Sequence, residues 1–257
     1  MAGRFTENRR MVTPTPAPLL PDTLQWLPAD GRAEQLMILL HGGGGSAADM
    51  APLAAMLRAE FPQAALLAPE GFDAADTGLA GRQWFAMNGP DGPLTEINRP
   101  ARVAAVLPRL ADWVRAAQVA TGVGPAATAL VGFSQGAIVA LELVQRHDGL
   151  AGRVLSFSGR YAILPDRALA HTTLHFFHGA TDTVIPAAQT QMALDRLTAI
   201  HGDATADMAE GVGHELSPDL VRCAIDRLRS HIPHRTWIAA MGAAPGLAER
   251  QSGSAEA

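Results

Sequence analysis

The chain has 257 residues, enough for one α/β domain or two small ones, with 48 % hydrophobic and 18 % charged residues, the balance of an ordinary globular protein. A net charge of −5 at pH 7 excludes the basic footprint of a nucleic-acid binder, and no stretch approaches the ~18 apolar residues of a membrane span. All 20 basic residues are arginines, which excludes a P-loop, a Schiff-base lysine and a Ser-Lys dyad; the single Cys223 excludes an internal disulfide and a thiolate metal cage.

Residues 1–22, rich in Thr and Pro, read as an extended arm, because closely spaced prolines disfavour both helix and central strand. This segment has arginines but no apolar run of signal-peptide length, so a cytoplasmic location is the expectation. Residues 23–28 suit an edge strand. The apolar run 35–40 predicts a buried strand, and HGGGGS follows it directly. A helix is expected over 47–60, with Met50, Leu53, Ala54 and Leu57 on one face, then a short strand over 64–68. Residues 70–100 are glycine-rich and aperiodic yet carry Trp84, Phe85 and Met87; loops of that length in a compact domain are usually functional. A helix over 102–120 should be kinked or delayed by Pro108.

Residues 127–133 form the next apolar run, and beyond Ser134 the residues Ala137, Ile138, Leu141 and Val144 fall at helical spacing. Between strand and helix lies Gly132-Phe133-Ser134-Gln135-Gly136, a G-x-S-x-G sequence in the context such a motif needs. A turn this tight leaves no room for a Cβ at either glycine and strains the serine at its apex, so the hydroxyl protrudes at the helix N-terminus. The N–H of Gln135 there has no intrahelical partner and can donate to a developing oxyanion.

Strands over 154–157, 174–177 and 204–208, and helices over 187–200 and 218–232, complete a βα alternation that implies a mostly parallel sheet covered on both faces. Cys223 is expected as a small buried residue on the last of these helices. A single domain spans 23–233, and residues 234–257, small and polar, read as a mobile tail.

A serine hydroxyl needs a base, and the base needs an orienting partner. Asp182 follows the strand over 174–177 and His214 follows the strand over 204–208. Strand carboxyl ends share one edge of a parallel sheet, so Ser134, Asp182 and His214 should converge there, in the chain order of one hydrolase architecture. The run after His41 has two readings. As G-x-G-x-x-A (Gly42, Gly44, Ala47), with Glu70 beyond the next strand, it suits a dinucleotide. As an HG-type loop, the N–H of Gly43 completes an oxyanion hole with Gln135, and this reading is preferred. His171 and His175 share a strand face while His178 points away, so no metal site is expected.

With these residues in place, the chain resembles the phospholipase/carboxylesterase branch of the α/β-hydrolase fold, which includes bacterial carboxylesterases and acyl-protein thioesterases. The likeness runs from Glu34 to Ile232 and rests on LLHGGGG, RQWF at 82–85, GFSQGA, HGATDTVIP and GVGHE, in order; FSGRY at 157–161 narrows it to compact bacterial esterases. It implies an α/β-hydrolase fold without a large lid domain. It further implies a triad of Ser134, Asp182 and His214, oxyanion donors at Gly43 and Gln135, and no cofactor. The implied substrate is a small ester or thioester, lysophospholipids included, and a homodimer is left open. Trp84, Phe85 and Met87 either line the acyl site or plug the long loop onto the core. The glycine-only stretch after His41 departs from relatives that carry a bulkier residue there.

Overall fold

The computed structural model describes residues 20, 22–78, 80–233 and 235–236. The expected N-terminal arm and C-terminal tail fall almost wholly outside these residues. The expected strands form: β1 Thr23–Trp26, β2 Gln35–Leu40, β3 Ala64–Pro69, β4 Thr128–Phe133, β5 Arg153–Phe157, β6 Thr173–Gly179 and β7 Ala204–Ala209, the inner five largely buried and the edge strands β1 and β7 only partly so. They form one sheet in the order β1-β3-β2-β4-β5-β6-β7. Every neighbouring pair is parallel except β1 with β3. Register aligns Leu40 with Gly132, and Phe133 with Phe157, so the carboxyl ends of the central strands lie side by side.

Side-chain alternation along β2 shows how the layers are built. Leu36, Ile38 and Leu40 pack with Val103, Leu107 and Leu110 of α2 (Arg99–Thr121) and with Ile138 and Leu141 of α3 (Gln135–Arg146). Leu197 of α4 (Ala188–Ala199) belongs to the same layer. Met37 and Leu39 face the other way, onto Leu53 and Leu57 of α1 (Ala51–Glu60) and Leu220 and Ala224 of α5 (Pro218–Ser230). Helices therefore cover both faces, as a parallel sheet buried on each side requires.

Three local expectations change. The helix expected over 47–60 is divided into a 3₁₀ turn, Ala47–Met50, and α1. Pro52 falls in the first turn of α1, where its missing N–H costs nothing. Pro108 does not delay the second long helix, which begins at Arg99 and runs through it; that residue is exposed, and the buried Val103, Leu107, Leu110 and Val114 hold the helix through one lost hydrogen bond. Cys223 is only partly buried.

The long segment between β3 and α2 contains two short ribbons, Asp73–Ala74 with Arg82–Gln83 and Asn88–Gly89 with Gly92–Pro93. It is stitched to the glycine loop: Gly44 N–H donates to Arg82 O at 2.8 Å, and Arg82 N–H to Gly45 O at 2.7 Å. Among the described residues no large lid covers the carboxyl edge of the sheet. Among the described residues no helix is long and apolar enough to cross a membrane.

Candidate active site

The strand β4 ends at Phe133 and α3 begins at Gln135, leaving Ser134 alone at the corner with φ 52° and ψ −116°. That left-handed backbone is costly for a residue with a Cβ and is held by its surroundings. Ser134 N–H donates to Phe157 O of β5 at 2.9 Å. The flanking glycines are obligatory: a Cβ on Gly132 would lie 2.5 Å from Ala137 Cα, and one on Gly136 would lie 2.1 Å from Leu40 O.

His214, on the loop after β7, places Nε2 2.9 Å from Ser134 Oγ and Nδ1 2.7 Å from Asp182 Oδ2. An ionised carboxylate only accepts, so Nδ1 carries the proton and donates to it, and Nε2 presents its lone pair to the serine hydroxyl. Asp182, past the end of β6, has a fully buried side chain. Its Oδ1 accepts the N–H groups of Val184 and Ile185, each at 2.9 Å. Burial alone would raise its pKa, but the hydrogen bonds from His214, Ile185 and Val184 outweigh that and hold the carboxyl below its ordinary range. The carboxylate is therefore anionic at neutral pH and can stabilise a charged imidazole.

Gly43 lies directly over the start of α3: a Cβ added there would meet the Gln135 side chain at 3.2 Å. The N–H of Gln135 is at the positive end of α3, without an intrahelical acceptor. Gly43 and Gln135 both line the space beside Ser134. The glycine loop is held by the buried His41. Its Nδ1 donates to Gly42 O at 2.7 Å and its Nε2 accepts Gly71 N–H at 2.8 Å; burial lowers its pKa and keeps it neutral.

Trp84, Phe85 and Met87 part company. Phe85 and Met87, with Leu94 and Ile138, line a cavity of about 410 Å³ that reaches Ser134, Gly43, Gln135 and His214. Trp84 does not line it. Its side chain is fully buried and its indole N–H donates to His41 O at 2.8 Å, so it supports the glycine loop from behind.

Two contributors lay outside the sequence-based assignment. The Gln135 side chain, read only for its backbone, accepts Trp84 N–H at 2.6 Å and donates to Phe85 O at 2.9 Å, tying the RQWF segment to the Ser134 turn. His178, considered only as a metal ligand, donates from Nε2 to Ile185 O at 2.7 Å and accepts from Thr190 Oγ1 at 2.8 Å through Nδ1. Its Nε2 also lies 3.2 Å from Asp182 Oδ2, so it braces the acid loop. The HG pair ending β6 was visible; its bonds were not. Among the described residues no His, Cys, Asp and Glu cluster could hold a metal.

The dinucleotide reading of the glycine run is not favoured. Asp49 Oδ2 accepts Ser46 N–H at 2.8 Å and would lie 2.8 Å from a Cβ on Gly45, so a carboxylate fills the helix entry that a pyrophosphate would need.

A parallel sheet with a strained serine corner at its carboxyl edge, and a histidine and carboxylate aligned on that serine, defines an α/β-hydrolase. Comparison with known proteins agrees in sequence and in fold. The chain belongs to the phospholipase/carboxylesterase family, whose sequence profile matches residues 26–232. It is 41 % identical over 218 residues to esterase YpfH of Escherichia coli (strain K12), covering 84 % of this chain and 92 % of that protein. The crystal structure of esterase PE8 superposes with a TM-score of 0.74 at 28 % identity, over 82 % of this chain and 99 % of that one. A carboxylesterase from Mesorhizobium loti, 22 % identical, shares the fold with a TM-score of 0.67 over 83 % of this chain and 99 % of its own. The protein is an esterase.

Proposed function

We propose that the protein cleaves carboxylic esters of small to medium acyl chains through an acyl-enzyme on Ser134. The observation that carries this reading is the unbroken line of hydrogen bonds from Ser134 Oγ through His214 to Asp182. His214 Nε2 takes the hydroxyl proton as Oγ attacks the ester carbonyl, and Asp182 steadies the resulting imidazolium. The N–H groups of Gly43 and Gln135 receive the oxyanion. His214 then returns the proton to the leaving oxygen, and water repeats the sequence on the acyl-enzyme. Thioesters and lysophospholipids fall within the same chemistry, which calls for no metal or cofactor. The apolar wall of Phe85, Met87, Leu94 and Ile138 suits the acyl chain. Cytoplasmic action on a small-molecule ester remains part of the reading.

A fluorophosphonate probe tests it. The expected adduct sits on Ser134, and Ser134→Ala loses both labelling and roughly 10⁴ to 10⁶ of turnover with an unchanged circular dichroism spectrum. Near-normal ester hydrolysis by that variant, or an adduct elsewhere, would overturn the assignment.

A further inference from the structure

The cavity beside Ser134 is apolar for most of its wall, yet two arginines, Arg99 and Arg160, also line it and no carboxylate does. Arg99 opens α2, and Arg160 follows β5 in the segment FSGRY. Glu96 bridges them from outside. Arg160 Nη1 and Nη2 donate to its two oxygens at 2.9 and 2.7 Å, and Arg99 Nη1 lies 2.7 Å from Oε2. The last contact joins a largely buried guanidinium to an exposed carboxylate, and these contacts with Arg99 and Arg160 hold the Glu96 carboxyl below its ordinary pKa. Two positive charges face one negative charge, leaving the group cationic.

Exposure sets the direction of that surplus. The arginine side chains are 13 % and 16 % exposed, whereas Glu96 is 66 % exposed and free to turn into water. Neighbouring charges are already committed. Arg102 pairs with Asp91 and donates to Ala86 O and Gly92 O, while Asp76 accepts the N–H groups of Met87 and Asn88. A second groove of about 450 Å³ meets the cavity at Gly43 and His214; it is lined by Asp49 and Glu215 and has no arginine. Charge is thus segregated across the catalytic histidine.

The two clefts differ in what they reach. The arginine-lined cavity contains Ser134, Gln135 and Gly43, so it receives the carbonyl and the acyl part that stays bonded to Ser134 Oγ. The acidic groove touches His214 but not Ser134, as suits a departing alcohol. We propose that the enzyme selects esters whose acyl part ends in an anionic group, a carboxylate above all. Arg99 and Arg160 hold that anion after it displaces Glu96 from their guanidinium groups. Planar, paired donors on a weakly hydrated cation suit a carboxylate. The inference rests on the proposed acyl-enzyme chemistry at Ser134.

The test compares p-nitrophenyl hemiesters of dicarboxylic acids, adipate to suberate, with the same compounds capped as methyl esters at the far carboxyl. The readout is the ratio of kcat/KM for the free hemiester to that for its capped partner. In the wild type this ratio exceeds one for at least one chain length, and it declines with added salt. Arg99→Gln and Arg160→Gln should each lower it by about tenfold or more, chiefly through KM of the hemiester. Glu96→Gln should raise it. Opposite shifts in variants of one cluster cannot arise from misfolding. A ratio at or below one at every length, or one that ignores all three substitutions, overturns the proposal. So does a preference for the anion when it is placed on the alcohol side alone. Ser134→Ala, assayed in parallel, separates the two readings: hydrolysis that survives it refutes the acyl-enzyme, whereas lost hydrolysis with an insensitive ratio refutes only the anion subsite.

Discussion

Replacing Gln135 by methionine keeps the length of the side chain and its rotamer freedom but deletes both of its hydrogen bonds to the 84–85 backbone. In the native protein Gln135 is only 4 % exposed, its Oε1 takes Trp84 N–H at 2.6 Å, and its Nε2 reaches Phe85 O at 2.9 Å. Methionine strands one buried N–H and one buried carbonyl, each costing about 1–3 kcal/mol, so a loss of about 3 kcal/mol is a conservative expectation. At about 2–4 °C per kcal/mol for a domain of this size, Tm should fall by about 6–12 °C. The backbone N–H of residue 135 stays in place, so the proposed oxyanion donor survives and stability should suffer more than turnover per folded molecule. Thermal unfolding followed by circular dichroism, with active sites titrated by a fluorophosphonate, gives both quantities. A fall in Tm of less than about 2 °C would show that the RQWF segment is not held through this side chain.

Further substitutions probe the remaining parts of the site and the core. Asp182→Asn should lower turnover by about 10⁴ at neutral pH, because the amide favours the wrong imidazole tautomer, while the circular dichroism spectrum is kept. Asp207→Asn, which instead removes the charge and one of two 2.9 Å hydrogen bonds from Arg227, should leave turnover within a few fold; the reverse order of sensitivity in a steady-state assay would move the acid. Glu142 is half-buried, and the resulting desolvation raises its pKa against the pull of the Ala162 and Ile163 N–H groups it accepts. A carboxyl whose folded pKa is raised stabilises fully below its unfolded pKa of about 4.3 and loses that contribution as pH rises through the folded value. Glu142→Gln should therefore raise Tm relative to wild type at pH 8 and lose that advantage toward pH 4; an equal difference at both pH values would contradict the linkage.

How far the chain could be read in advance depended on the range of the forces involved. The serine corner was legible because its cause is local. Gly132 and Gly136 are needed where a Cβ would strike Ala137 and Leu40, and the clash is written into a five-residue spacing. The order of strands and helices was legible for the same reason, apart from the divided 47–60 helix and the tolerance of Pro108, where packing overrode a local preference. The supporting contacts were not legible. Gln135 finds Trp84 across 51 residues, and Arg160 finds Glu96 across 64. His178 braces a loop whose path is set by Asp182 and Thr190.

By itself the amino-acid order determined the alternation of apolar runs, the steric demands of the glycines, and hence which edge of which kind of sheet would carry the serine, the aspartate and the histidine. Only the tertiary structure decided the 2.9 and 2.7 Å contacts among them, the retreat of Trp84 behind the glycine loop, and the gathering of Arg99 and Arg160 on one cavity wall. Periodicity and turn chemistry act over a few residues and can be counted along a chain. The direction of a loop side chain depends on which buried donor or acceptor still lacks a partner, and that is known only once distant segments have packed.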